Sequence, residues 1–249
     1  TIDKEAVRKS GMSIPKDSLG NEMEIPERMA ISLNGKKALY KNDLMMLELI
    51  ANCNWTRPLY VALTVGAENF MNLGENFVQE GLVNRITPFA TNESNNFDTD
   101  KVYKNVMTRY KFGGLDKPGL YLDETVMRMC YTHRRIFSQL ITHLLKEGDK
   151  ERAKKAIEYA GKVIPVSNVP MNFMSGGMDF LEAYYALGMK KEAKQTFDAM
   201  WNNAQQYLNW YLSLSQSRFN QSNRECLVNL YIMQQLIQIA DTYDQDTAN

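Results

Sequence analysis

The chain has 249 residues, 44% of them hydrophobic, which is enough for one large domain or two modest ones with a buried core. Lysine plus arginine and aspartate plus glutamate both number 29, and this balance argues against a nucleic-acid partner, whose binding surface normally needs a basic excess. No uncharged apolar run approaches the roughly 18 residues that indicate a membrane span, and no signal-peptide pattern is visible. Because the sequence opens on Thr1 rather than Met, we expect a processed piece whose targeting information lies elsewhere.

In chain order, the first half predicts a small sheet with covering helices. A short helix is predicted from Asp3 to Lys9. Residues 28–33 alternate between apolar and polar side chains, which favours a strand, and the pair Asn34-Gly35 marks a turn after it. Residues 79–89 favour a further strand, and residues 98–109 a helix. We therefore expect residues 1–115 to form a subdomain with the order strand, helix, strand, strand.

Residues 41–66, KNDLMMLELIANCNWTRPLYVALTVG, are the most organised stretch of this half. Apolar side chains recur at steps of three and four, which gives a helix over 42–53 a broad apolar face. Asn42 or Asp43 can cap this helix, and Pro58 prevents it from continuing. Residues 59–65 are β-branched, aromatic and uncharged, so they favour a strand covered on both faces.

From Asp123 no further strand pattern appears, so residues 116–249 are predicted to form an all-helical subdomain. Helices are predicted over residues 123–147, through 153–160, and over 178–187, 190–214 and 223–243. A loop that carries proline, glycine and methionine, residues 166–177, separates the second of these helices from the third. The fold class is therefore α+β, with a small sheet followed by antiparallel helix hairpins.

Two of the predicted hairpins share a spacing of small and apolar residues. Gly148, Ala153, Ile157 and Ala160 recur 40 residues later as Gly188, Ala193, Phe197 and Met200. A glycine permits the tight turn between antiparallel helices, and the alanine lets the two helices approach closely. The segments LLKEGDKERAKKAIEYAGKVIP and YYALGMKKEAKQTFDAM resemble the tetratricopeptide repeat. That resemblance implies a concave helical layer that holds a peptide or partner helix, and packing against the first half is the alternative.

A second resemblance rests on the motif Asn52, Trp55, Arg57, Pro58 and Tyr60 together with the segments QEGLVNRITP and HRRIFSQL. Over most of residues 25–210, the chain resembles the soluble C-terminal region of bacterial multi-spanning membrane proteins related to protein O-mannosyltransferases. This family has long been described only as a domain of unknown function. The resemblance implies a lipid-linked sugar donor, glycosyl transfer at the outer face of the membrane, and a location on the periplasmic side of the inner membrane.

The family's membrane spans and catalytic acidic loop precede the region that this chain resembles. Membrane association is therefore expected through N-terminal spans that are absent here, and no catalytic residue is carried over. The histidines His133 and His143 do not share a helix face, and no HExxH, GxGxxG or P-loop pattern occurs. The cysteines Cys53, Cys130 and Cys226 are widely spaced, so we expect buried free thiols. The sequence predicts no catalytic residue, metal or cofactor, and leaves open whether the chain is an enzyme.

Four residues near the 41–66 stretch are candidates for a ligand site or for a structural corner: Trp55, Arg57, Tyr60 and Arg85. An indole can stack on a sugar ring, and a guanidinium can hold a phosphate or carboxylate. The structural alternative is that Trp55 fills the helix–strand corner and Arg57 caps helix carbonyls. The acidic residues near this corner are expected to be solvated or to pair with Arg57 or Arg85. They are Asp43, Glu48, Glu68 and Glu80.

A partner surface is predicted on the helix over residues 190–214, which carries Trp201, Tyr207, Trp210 and Tyr211. Trp201 and Trp210 point in opposite directions, so we expect one of them to be exposed, although such stripes commonly pack into a core. The first hypothesis is a non-catalytic periplasmic C-terminal domain that places an acceptor or partner near a membrane active site. The alternatives are a free-standing tetratricopeptide-like adaptor that binds a peptide, and an enzyme with a cleft around Trp55 and Arg57.

Overall fold

The computed structural model describes residues 1–17 and 19–243, and the chain divides into two compact units, Thr1–Arg109 and Tyr110–Asn249. The first unit contains a three-stranded antiparallel sheet with short helices, and the second is built from helical hairpins over its described residues. The predicted α+β class is confirmed. The sequence had placed the boundary between residues 115 and 116, whereas the units divide at Arg109.

The sheet of the first unit has the order β1-β3-β2, so β3 is the central strand. The elements are α1 (Lys4–Lys9), α2 (Lys41–Asn52), β1 (Tyr60–Ala62), β2 (Phe77–Gln79), β3 (Val83–Ile86) and α3 (Thr99–Lys104). Arg85 of the central strand lies opposite Tyr60 on one side and Val78 on the other. Asp43 accepts a hydrogen bond from the backbone N–H of Tyr40 at the start of α2. A π-helical turn, Asn105–Arg109, continues α3.

Three of the strand predictions in this unit need correction. The predicted strand at residues 28–33 is wrong, since the segment is irregular. Its alternation has another cause, because Met29 and Ile31 pack partly buried against the apolar clusters of the unit without a neighbouring strand. The predicted strand at 79–89 covers only the last residue of β2, then a turn in which Gly81 has φ 125°, and then β3. The strand predicted at 59–65 is short and lies at the sheet edge, so Tyr60 is 46% exposed.

Two apolar clusters hold this unit together. Ile50 of α2 packs with Leu73, Phe77 and Ile86 of the sheet region, so α2 covers one face of the sheet, as predicted. The second cluster surrounds Trp55. Its buried members are Ile2, Val7, Met12, Ile25, Trp55 and Phe89.

The second unit consists of five helices over its described residues. They are α4 (Glu124–Lys146), α5 (Lys150–Val163), α6 (Gly177–Ala186), α7 (Lys190–Leu212) and α8 (Gln216–Tyr243). The first four agree closely with prediction, because their ends carry strong local signals such as the N-cap carboxylates Asp123 and Asp149. Helix α8 begins seven residues before the predicted Asn223, since residues 216–222 are mostly polar but contain no glycine or proline to stop a helix.

The turns of the two hairpins have the same backbone geometry. Gly148 and Gly188 are left-handed, with φ of 80° and 71°. Each turn is closed by an N–H that bonds a carbonyl five residues back, from Asp149 to Leu144 and from Met189 to Tyr184, both at 2.8 Å. The alanine five residues after each glycine is fully buried. The 40-residue repeat is therefore present in the structure, while its relation to the tetratricopeptide repeat stays a prediction.

We expect Gly148→Ala and Gly188→Ala each to lower the free energy of unfolding by about 1 kcal/mol, because an L side chain is strained at these φ angles. No atom lies within 4 Å of an added Cβ at either position, so the loss is conformational rather than steric. Urea denaturation of the two variants measures it. Asparagine, which tolerates this conformation better, should lose less at both positions. A loss at one turn only would contradict the equivalence of the two hairpins.

Candidate functional site

The two sharpest sequence candidates, Trp55 and Arg57, do not form a shared site. After α2 the chain turns through Asn54 and Trp55, which have left-handed φ angles of 46° and 58°. This turn directs the Trp55 side chain into the core, where it is 6% exposed and offers no face to a sugar. Arg57 is exposed, and its guanidinium makes no hydrogen bond or ion pair within residues 1–17 and 19–243. Trp55 therefore fills the corner, whereas Arg57 caps no helix.

The other two candidates, Tyr60 and Arg85, meet at a buried carboxylate. The Tyr60 hydroxyl donates to Glu80 at 3.0 Å, and Arg85 Nη1 lies 3.7 Å from the same carboxylate. Lys101 Nζ donates to it at 2.7 Å. Glu80 and Arg85 are only 6% and 3% exposed. The expected pairing of an acidic residue with Arg85 is thus found for Glu80.

This network extends to both ends of the first unit. Lys101 also pairs with Asp98 at 3.2 Å, and Asp98 accepts a hydrogen bond from the Ser13 hydroxyl. Arg85 Nη2 donates to the backbone carbonyl of Ser10 at 3.0 Å. Burial and the neighbouring Glu80 raise the pKa of Tyr60 above its ordinary value. The network joins the segment after α1, the sheet and α3. Its two cations, Arg85 and Lys101, balance its two carboxylates, Glu80 and Asp98.

The second unit contains a groove of about 790 Å³, which we call the inter-hairpin groove. It is bounded by the loop of residues 165–174, by one face of α7 and by α8. Its apolar lining includes Val166, Met171, Phe173, Met174, Met200, Val228 and Ile232. The methionine-bearing loop that the sequence singled out is therefore a wall of this groove.

The loop that forms this wall is held in place by hydrogen bonds from both sides. Arg134 of α4 is 1% exposed and donates to the carbonyls of Ile164 at 2.7 Å and Pro170 at 3.0 Å. Burial lowers the pKa of Arg134 to about 10. Asn168 donates to the carbonyls of Leu115 and Lys117, both at 2.7 Å. The groove is thus preformed, which reduces the entropy lost when a ligand binds.

The sequence cluster His133-Arg134-Arg135 lies within α4, and Arg134 is its buried member. Arg134 lies on the buried face of α4, in step with Cys130, Phe137 and Ile141. The spacing of these four residues, at steps of four, three and four, is the signal that could have placed it inside.

Of the four residues of the predicted partner surface, two lie at the surface beside the groove. Tyr207 and Trp210 are 48% and 53% exposed and line a smaller pocket with Asn203 and Gln206. This pocket shares Asn203 and Tyr207 with the inter-hairpin groove, so the two lie side by side along α7. Tyr211 is buried, and Trp201 is half-buried and stacks on Phe197 at 5.8 Å.

The polar side chains that line the groove were missed from the sequence. Glu192, Gln195 and Asn203 all lie on the groove face of α7. Glu192 and Asn203 are eleven residues apart, about 20° past three whole turns, and Gln195 lies about 60° to one side of Glu192. This spacing could have shown that the three share a face. Whether this face is open depends on where α8 and the loop of residues 165–174 lie, which only the tertiary fold shows.

Within the described residues, Cys130 and Cys226 are buried, Cys53 is half-buried, and all three thiols are free. No group of three or more His, Cys, Asp or Glu side chains among those residues is placed to hold a metal ion. None of the described helices has the length and apolar character needed to cross a membrane.

The comparisons with known proteins concern the first unit. Residues 1–106 match the family model described as TMEM260-associated domain 2, and TMEM260 belongs to a protein O-mannosyltransferase-like family. Neither the curated proteins nor the solved structures contain a match. The match ends before the helical hairpins begin. Residues 1–106 are thus similar to a domain that is associated with TMEM260.

Proposed function

We propose that this chain is a non-catalytic C-terminal domain of a membrane protein related to protein O-mannosyltransferases. It lies on the periplasmic side of the inner membrane and places the acceptor protein, or another partner, near the active site in the membrane. The observation that carries the proposal is the match of residues 1–106 to the TMEM260-associated domain. The transferase chemistry then belongs to a part of the protein outside these residues.

The geometry of both units supports a role in positioning the acceptor protein or another partner. In the first unit, Trp55 is used for packing, and the Glu80 carboxylate is held by Tyr60, Arg85 and Lys101. In the second unit, a preformed groove with adaptable methionine side chains is open to a partner. A domain that places a substrate needs a binding surface of this kind and no reacting group of its own.

The gene upstream of Thr1 tests the first part of this proposal. We expect it to encode several apolar segments of about 20 residues each, the length that spans a bilayer. An upstream region without such segments would contradict the proposal. A cysteine introduced at the exposed Asn209 of the intact protein should react with a membrane-impermeant maleimide added from the periplasmic side, and labelling only from the cytoplasmic side would overturn the assigned location.

Arg57→Ala tests the claim that the domain is non-catalytic. Because Arg57 is exposed and its guanidinium makes no hydrogen bond or ion pair within the described part of the chain, its replacement should change the free energy of unfolding by less than about 0.5 kcal/mol. We expect glycosyl transfer by the intact membrane protein to keep its kcat. A large fall in kcat with the fold retained would favour an enzyme with a site around this residue.

The second candidate function is a free-standing adaptor that binds a peptide, and the observation that favours it is the same groove. The two candidate functions differ in whether they require membrane spans encoded upstream of the chain. An adaptor requires no upstream membrane spans and should act on its partner when expressed alone.

A further inference from the structure

The inter-hairpin groove contains a single charged side chain, Glu192, among the residues that line it. Glu192 is half-buried in the first turn of α7 and forms no ion pair within the described chain. Arg134, the buried cation among the described residues of this unit, donates to the carbonyls of Ile164 and Pro170 instead. The groove therefore has an unmatched negative charge at one end, and charge complementarity requires a cation there.

Beyond Glu192, the groove face of α7 carries a row of exposed side-chain amides. Gln195, Asn203 and Gln206 share this face, and their amides make no hydrogen bond within residues 1–17 and 19–243. An amide side chain offers both a donor and an acceptor, as does each residue of an extended polypeptide backbone. Exposed amides beside an apolar wall are suited to hold a backbone while its side chains contact the wall.

The dimensions fit an extended segment. The face runs along α7 from Glu192 to Trp210, about 27 Å at 1.5 Å per residue. An extended chain of about eight residues covers this distance. Tyr207 and Trp210, both about half exposed, border the end opposite to Glu192. Their rings provide apolar contact area, and Trp and Tyr are the side chains that most often dominate the energy of a binding surface.

We propose that this groove binds an extended polypeptide segment that has a lysine or arginine at the Glu192 end and uncharged, partly apolar residues along the rest of its length. The cation pairs with Glu192, the amides hold the backbone, and the loop of residues 165–174 takes the apolar side chains. That the segment belongs to the acceptor protein rests on the proposed function. The binding chemistry rests only on the second unit.

Two fluorescein-labelled eight-residue peptides test the proposal on the 249-residue chain. Apart from one lysine, both consist of uncharged, partly apolar residues. The lysine is at the first position in one peptide and at the last in the other, and each peptide has a version with glutamate in place of the lysine. Fluorescence anisotropy should show saturable binding of at least one lysine peptide. Its glutamate version should bind about fivefold more weakly, the upper range for one exposed ion pair.

Three variants separate the contributions of the Glu192 charge and of the side-chain amides to peptide binding. Glu192→Gln should reduce the preference for lysine over glutamate to less than about twofold. Asn203→Ala should weaken both versions by a similar factor, since it removes a backbone contact and no charge. Glu151→Gln removes an exposed carboxylate at the start of α5 that does not line the groove, and should leave both affinities unchanged. Circular dichroism should show the same helical content in all three.

Equal affinity for lysine and glutamate peptides, or no saturable binding of any of them, would overturn the proposal. So would a dimer in sedimentation equilibrium that protects Trp210 from quenching, because a second copy would then occupy the face. If no peptide binds while the intact membrane protein still needs this chain to modify its acceptor, the groove proposal fails alone. If the peptides bind as expected but the upstream gene encodes no spans, the proposed function fails alone.

Discussion

Replacing Glu80 with alanine is expected to lower the free energy of unfolding of the first unit by about 3–5 kcal/mol, the usual cost of breaking a buried ion pair from one side. The variant leaves the Arg85 guanidinium, 3% exposed, without its carboxylate. Lys101 loses the same partner but keeps Asp98 and some contact with solvent. Most of the loss therefore comes from Arg85, which β3 holds in the centre of the sheet.

Urea denaturation followed by circular dichroism measures this loss. The matched control is Glu93→Ala, an exposed carboxylate of the same unit, which should change stability by less than about 0.5 kcal/mol. Replacing both members of a buried ion pair with apolar groups often leaves stability unchanged. The double variant Glu80→Leu with Arg85→Met should therefore lose clearly less free energy of unfolding than Glu80→Leu alone. A double variant that loses the sum of the two single losses would show that the pair does not couple.

This network also shows why the first unit was harder to predict than the second. A helix end is set by nearby residues, so Asp123, Asp149 and the two turn glycines placed the hairpins from local signals. A strand depends on a partner that lies elsewhere in the chain. The alternation at residues 28–33 fits both a strand and an irregular segment with inward side chains, and no local signal distinguishes them.

The candidate site residues show the same difference between what local patterns predict and what depends on the tertiary fold. Periodicity along α7 indicated that Trp201 and Trp210 point in opposite directions, and Trp210 is the more exposed of the two. Which direction faces solvent depends on α6 and α8, which both pack against α7. Likewise, the Glu80 network joins side chains from β3, α3 and the segment after α1, whose meeting follows from the tertiary fold.

The wall of the inter-hairpin groove depends on a close contact at the start of α6. A Cβ added to Gly177 would lie 2.7 Å from the backbone carbonyl oxygen of Asn172 and 2.7 Å from the sulfur of Met200. Met200 can move its side chain, but the Asn172 carbonyl accepts the N–H of Gly177 at 3.0 Å and is fixed within the loop. An added methyl group must therefore displace the backbone of the loop that lines the groove.

Two opposing effects decide the outcome of Gly177→Ala. Alanine is favoured over glycine inside a helix by about 1 kcal/mol. Overpacking of a tight contact costs about 1–3 kcal/mol, and more when backbone must move. We expect overpacking to prevail, with a net loss of about 2 kcal/mol in the free energy of unfolding. Peptide affinity should fall as well, because Phe173 and Met174 move with the loop.

Gly161→Ala provides the matched comparison. Gly161 lies within α5, and no atom is within 4 Å of an added Cβ there. Only helix propensity then acts, so this variant should gain about 0.5–1 kcal/mol in urea denaturation. The same substitution is thus expected to change stability in opposite directions at two helical glycines of one unit. A gain in stability at Gly177 as well would show that the contact with Asn172 yields easily and that the loop is not fixed from this side.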